Sequence, residues 1–208
     1  MNETELTKEI KTALINSWSK NVEQYINDGI FIYNTEVLVS QEINTYVDFA
    51  NTCIMDNAYL TQCYEIKVSI NDFNSKYGSN FYGNKNYYVV PQDIEEYVIS
   101  KMNSNRMYKD IGLIVYRYND SKYNLDPVKD SAMFDDSVYT YSIRDNLIDN
   151  GIYVGSVNKH FAQDILKIFD SIYVKGFNSE FHKDNTLLIQ NLLNALYKKT
   201  TNESFVSS

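Results

Sequence analysis

The chain is poor in the residues that mark secreted, membrane-spanning or metal-thiolate proteins. It carries two cysteines, Cys53 and Cys63, and two histidines, His160 and His182. The cysteines are too few and too far from any histidine to suggest a zinc site, and both read as packing residues on or near strands. The histidines have no partner at ligand spacing and read as surface or helix-end residues. No apolar run reaches the roughly 18 residues of a membrane span, and the start "MNETELTKEIKTALI" is polar and acidic, unlike a secretion signal. A cytoplasmic protein with no membrane partner is the expectation. The Gly-x-Ser-x-Gly elbow, the Walker loop and the dinucleotide fingerprint are all missing, so acyl transfer and nucleotide hydrolysis have no support.

Positive charge is also scarce. The 19 Lys and Arg against 27 Asp and Glu leave a formal charge of −8. A broad, nonspecific grip on nucleic acid needs clustered cations, so the charge argues against such a grip, although it does not exclude a local basic groove. Through Lys129 there are 12 basic and 17 acidic residues, and from Asp130 onward 7 and 10, so neither part is a basic module. Tyrosine is abundant, at 19 residues. These rings are able to stack on bases, or they reflect nothing more than an AT-rich coding sequence.

With 208 residues, 44% of them hydrophobic, the chain can bury a sizeable core. Leu6, Ile10, Leu14, Trp18 and Val22 recur every four positions and predict an amphipathic helix over residues 3–26. Residues 29–40, 42–56 and 58–69 are rich in Ile, Val, Tyr and Thr and read as three meandering strands, with Asp56-Asn57 as a turn. Residues 70–86 read as a helical turn and an ordered loop. A buried strand (87–91), a helix (92–102) and a strand (111–118) follow, with a further strand near 122–128. The expected class is α/β, with an α-β-β-β-α-β core over 1–129 and a C-terminal helical extension over 130–208. In that extension 129–142 reads as a connection before two amphipathic helices, "VNKHFAQDILKIFDSIY" and "NTLLIQNLLNALYKK". The Leu187 to Leu196 face is either intramolecular core or a homodimer interface.

One strand carries an unusual polar pair. In "CYEIKVS", Tyr64, Ile66 and Val68 line one face, while Glu65 and Lys67 share the other. As an isolated surface pair they would contribute little. Asp48 sits in an apolar stretch, "TYVDFAN", where a paired or metal-bound carboxylate is more natural than a lone one. Counted from the Asp56-Asn57 tip, Asp48 and Glu65 are about equally far along the two arms, so a regular register makes them cross-strand neighbours. Two carboxylates with a lysine beside them suit Mg²⁺, which prefers hard oxygen ligands, and suit stabilisation of charge on a phosphate. In such a site Asp48, Glu65 and the carbonyl of Ile66 bind the metal, and Lys67 holds the attacking water or steadies the phosphate.

Asp48, "YEIKVSINDF", "NKNYYVVP" and "IGLIVY" together resemble the PD-(D/E)XK nuclease superfamily over roughly the first 118 residues. The resemblance implies a restriction-endonuclease-like fold and a Mg²⁺-dependent DNA endonuclease, with Mn²⁺ as a possible substitute. It also implies a further carboxylate from the first helix, for which Glu9 is preferred over Glu5; Glu36 on the first strand is another candidate. Val47 stands where the family often has proline. Ser69 reads as an N-cap with Asp72 in the first turn, or as a group facing phosphate. Lys76, Asn80, Asn84 and Lys85 either contact a nucleic-acid backbone or face solvent. The competing expectation is an acidic, nuclease-derived binding protein of phage or mobile-element origin that engages a host defence protein.

Overall fold

A computed structural model describes residues 3–23, 29–40, 44–55, 58–75, 81–119, 122–134 and 138–153. Helix α1 (Glu5–Glu23) begins where the Thr4 hydroxyl accepts the Thr7 N–H at 3.1 Å, satisfying one of the orphan donors of the first turn. Its four-residue spacing puts Leu6, Ile10, Leu14 and Trp18 on one stripe. Ile10 and Leu14 are buried against Tyr33, Phe49, Tyr64, Ile66, Tyr87, Val89 and Tyr116 of the sheet.

Strands β1 (Gly29–Ser40), β2 (Thr45–Met55) and β3 (Ala58–Ile66) form the expected antiparallel meander. A short helix α2 (Ile70–Phe73) leads to β4 (Lys85–Pro91), which runs parallel to β3. A 3₁₀ turn (Gln92–Ile94) and helix α3 (Glu95–Ser104) carry the chain to β5 (Gly112–Asn119), parallel to β4, and β6 (Lys122–Lys129) returns antiparallel. Helix α4 (Val138–Asn150) and the two-residue β7 (Ile152–Tyr153) close the described chain. The class is α/β, built on one mixed sheet in the order β6-β5-β4-β3-β2-β1-β7.

Alternation along β4 shows how the layers are divided. Tyr87 and Val89 face α1, whereas Tyr88 and Val90 pack with Phe73, Val98, Met102, Leu113 and Val115 on the α3 side. Both faces of this strand are covered, as its unbroken run of buried residues requires. Tyr88 is wholly buried among the rings of Phe73, Phe81 and Tyr108, with centroids 4.9, 4.8 and 6.0 Å away. Gly112 sits so close to the Tyr87 ring that an added Cβ would lie 2.3 Å from it, which accounts for a residue without a side chain at that strand start.

The expected boundary after Lys129 does not coincide with a break in packing. The Ser131 hydroxyl accepts the Asn86 N–H at 2.9 Å and donates to the Asp110 carbonyl at 3.1 Å, and the Phe134 N–H donates to the Asn84 carbonyl at 2.8 Å. Residues 138–142, expected in a connection, start α4 instead. Its Ile143 and Leu147 are fully buried, and β7 extends the sheet beyond β1. The two later helices expected from the sequence, His160, His182 and the Leu187 to Leu196 face lie outside the described residues.

A candidate metal site where two strands part

The β2–β3 ladder runs from Met55↔Ala58 to Phe49↔Tyr64 without a bulge. One step further the same register sets Asp48 against Glu65, as the count from the turn anticipated. There the backbone ladder gives way to a side chain: Asp48 Oδ2 accepts the Ile66 N–H at 2.7 Å. The next amide, Lys67 N–H, donates the other way, to the Val89 carbonyl on β4 at 2.9 Å. In an extended strand the N–H and C=O of one residue point to the same side, so the Ile66 carbonyl also faces the Asp48 side.

Tyr64 and Ile66 belong to the α1-facing core, so Glu65 and Lys67 project to the opposite face. Both are buried, at 2% and 4% exposure, which is rare for either residue type and costly unless each charge is answered. Lys67 Nζ lies 3.7 Å from Asp72 Oδ1. Asp72 also accepts the Val68 N–H through Oδ2 at 3.1 Å, and its own N–H goes to the Ser69 hydroxyl at 3.1 Å. Ser69 is therefore the N-cap of α2, and Asp72 ties that cap to Lys67.

Burial pushes the Asp48 carboxyl above its ordinary range, against the pull of the Ile66 N–H and of the Lys11 and Lys67 ammonium groups; Glu36 adds to the push. The charged groups that bear on Asp48 thus include Lys11 of α1, which the sequence reading did not single out. Lys11 is 8% exposed; its ammonium lies 2.8 Å from Glu3 and is hydrogen-bonded to Glu36. Its position three residues before Leu14, at the margin of the apolar stripe, was the available signal. Val47 and Phe49 pair with Val37 and Thr35, so Glu36 is the residue opposite Asp48. Glu36 has φ 51°, a left-handed conformation that disfavours a non-glycine residue by about 1–2 kcal/mol.

The other candidates fall elsewhere. Glu5 and Glu9 line a groove of about 670 Å³ between α1 and the β5–β6 hairpin, with Lys8, Tyr116, Tyr123 and Leu125. Glu9 acts there on the Tyr116 hydroxyl, helping burial to raise its pKa. Asn84, expected to face nucleic acid or solvent, is a buried cross-link: its Oδ1 accepts the Thr61 N–H at 2.9 Å and its Nδ2 donates to the Phe134 carbonyl at 3.2 Å. Lys85 is held by Asp130 at 2.9 Å. Lys76 and Asn80 lie outside the described residues. Both cysteines are buried, as expected for packing residues, and burial raises the Cys53 thiol to about 11.

Among the described residues no three Asp, Glu, His or Cys side chains close to metal-holding distance. The donors at the β2–β3 fork nonetheless suit a hard cation. They comprise two carboxylates and a backbone carbonyl, and Mg²⁺ commonly takes only one or two protein carboxylates and completes its shell with water and phosphate oxygens. None of the described helices is long and apolar enough to cross a membrane. Compared with protein-family models, curated proteins and solved structures, the chain matches none of them.

Proposed function

We propose that the protein is a metal-dependent DNA phosphodiesterase of PD-(D/E)XK type, with a restriction-endonuclease-like core. The single observation that carries this reading is the β2–β3 fork. Asp48 and Glu65 are the next residues on the two strands beyond the last backbone pair, Phe49↔Tyr64; Asp48 holds the Ile66 N–H, and Lys67 follows two residues after Glu65. An Asp48 carboxylate held in buried surroundings gains from a cation more than a solvated one does.

Asp48, Glu65 and the Ile66 carbonyl would hold Mg²⁺, or Mn²⁺ in its place. The bound ion supplies Lewis-acid polarisation of the phosphate and a water acidic enough to attack at neutral pH. The protein's own residues do the rest. The Ile66 N–H fixes the Asp48 carboxylate in one orientation, and burial of Glu65 at 2% exposure leaves its side chain little room to swing away. The Lys67 ammonium opposes the negative charge that builds on the phosphate oxygens, while Asp72 restrains it from one side.

The test is cleavage of supercoiled plasmid, linear duplex and single-stranded DNA in Mg²⁺, Mn²⁺ or EDTA, comparing wild type with Asp48→Asn, Glu65→Gln and Lys67→Ala. The expected outcome is metal-dependent cutting that all three substitutions abolish. Cutting by a folded Asp48→Asn protein would sink the reading. A protein that neither cuts nor binds a divalent ion would instead favour an acidic binding protein on this scaffold.

A further inference from the structure

Lys11 is a buried cation that the proposed chemistry leaves unused, and its surroundings are distinctive. Its ammonium bridges Glu3 and Glu36. Glu36 lies between Thr35 and Val37, whose partners Phe49 and Val47 flank Asp48, so the ion pair of Lys11 with Glu36 is anchored on the strand beside Asp48. Lys11 acts on Asp48 from α1, and Lys67 acts on it from β3.

We propose that Lys11 is a positioning residue that sets the site's affinity for a divalent cation by acting as the resident positive charge for Glu36 and Asp48. This inference rests on the reading that Asp48 and Glu65 hold such a cation. A dication entering beside Asp48 meets repulsion from the Lys11 ammonium and attraction from Glu36. The site's affinity therefore shifts with each of those two charges. The stem of Lys11 is buried, but Glu3 and Glu36 are well exposed, at 37% and 59% of their side chains. Removing the ammonium therefore leaves two carboxylates that water can solvate, and a methionine of similar length keeps the packing of the stem.

The experiment is Mn²⁺ titration of the full chain by calorimetry, without DNA, on wild type, Lys11→Met, Lys11→Arg and Glu36→Gln. Lys11→Met is expected to bind Mn²⁺ roughly tenfold more tightly, Glu36→Gln several-fold more weakly, and Lys11→Arg like wild type. The opposite signs are decisive, because both neutralising substitutions break the same ion pair, and a merely structural pair would move affinity in one direction or not at all. Should Lys11→Met fold poorly, Lys11→Gln takes its place, with the same tightening expected. Mn²⁺ binding by wild type with no tightening in folded Lys11→Met, or with no loss in Glu36→Gln, overturns the role of Lys11 and leaves the metal site standing. Absence of Mn²⁺ binding in every form overturns both.

Discussion

Replacing Asp48 by asparagine is expected to stabilise the fold at neutral pH, although it removes a residue assigned to the site. Burial raises the folded-state pKa of Asp48 above its ordinary value, so the protonated form is the one the fold favours. By linkage the contribution of Asp48 to stability is fully present below the unfolded pKa, near 3.9, and is lost as pH rises through the folded value. Asparagine does not titrate, and its Oδ1 can still accept the Ile66 N–H. Removing the charge while keeping that acceptor should add about 1 kcal/mol at pH 7.5, or roughly 2–4 °C in Tm for a chain of this size. Alanine at the same position strands the Ile66 N–H and should remove about 2 kcal/mol, so the two variants should differ by about 3 kcal/mol, roughly 6–12 °C. Scanning calorimetry at pH 7.5 and again near pH 4 measures both the gap and its pH dependence. The asparagine advantage should shrink as pH falls toward the ordinary aspartate range. If Asp48→Asn melts below wild type at pH 7.5 by an amount that does not change with pH, the carboxylate is a structural anchor and the reasoning fails.

Three other outcomes are expected. Gly112→Ala puts a methyl group into the Tyr87 ring and should destabilise by about 1–3 kcal/mol, read as a lower urea midpoint with an unchanged slope. Tyr88→Ala empties the aromatic pocket shared with Phe73, Phe81 and Tyr108 and should remove about 3–5 kcal/mol; a loss under about 1 kcal/mol would mean that this side of the sheet is loosely packed. Hydrogen bonds from Tyr87 and Lys85 hold the Asp130 carboxyl below its usual range, so its contribution is present above the unfolded pKa and lost as pH falls through the folded one. Because that side chain is 70% exposed and solvent screens it, Asp130→Asn should lower stability at pH 7 by no more than about 1 kcal/mol, with the difference gone in strong acid.

Local periodicity carried much of the architecture. The four-residue spacing from Leu6 to Trp18 and the alternation through "YEIKVS" depend only on backbone geometry, so α1 and the separation of Glu65 and Lys67 from Tyr64 and Ile66 could be read directly from the chain. The register that brings Asp48 and Glu65 to the same end of the two strands was legible for a related reason: from Met55↔Ala58 to Phe49↔Tyr64 no bulge disturbs the ladder. Other features depended on contacts between residues distant in sequence. Asn84 looked like a loop residue, yet it is buried because the chain 50 residues later returns to meet its amide. Helix α4 could not be tied to the sheet from its own residues, since what it covers is β1, more than 100 positions earlier. Lys11 meets Glu36 across 25 residues, and only through the left-handed backbone at Glu36, which no spacing rule anticipates for a glutamate in a strand. By itself the sequence determined where α1, α3 and the strands β1 to β6 form, because that is a property of neighbouring residues. Tertiary structure alone decided that Lys11 and Glu36 join Lys67 around Asp48, because that depends on how α1, β1 and β2 are brought together in space.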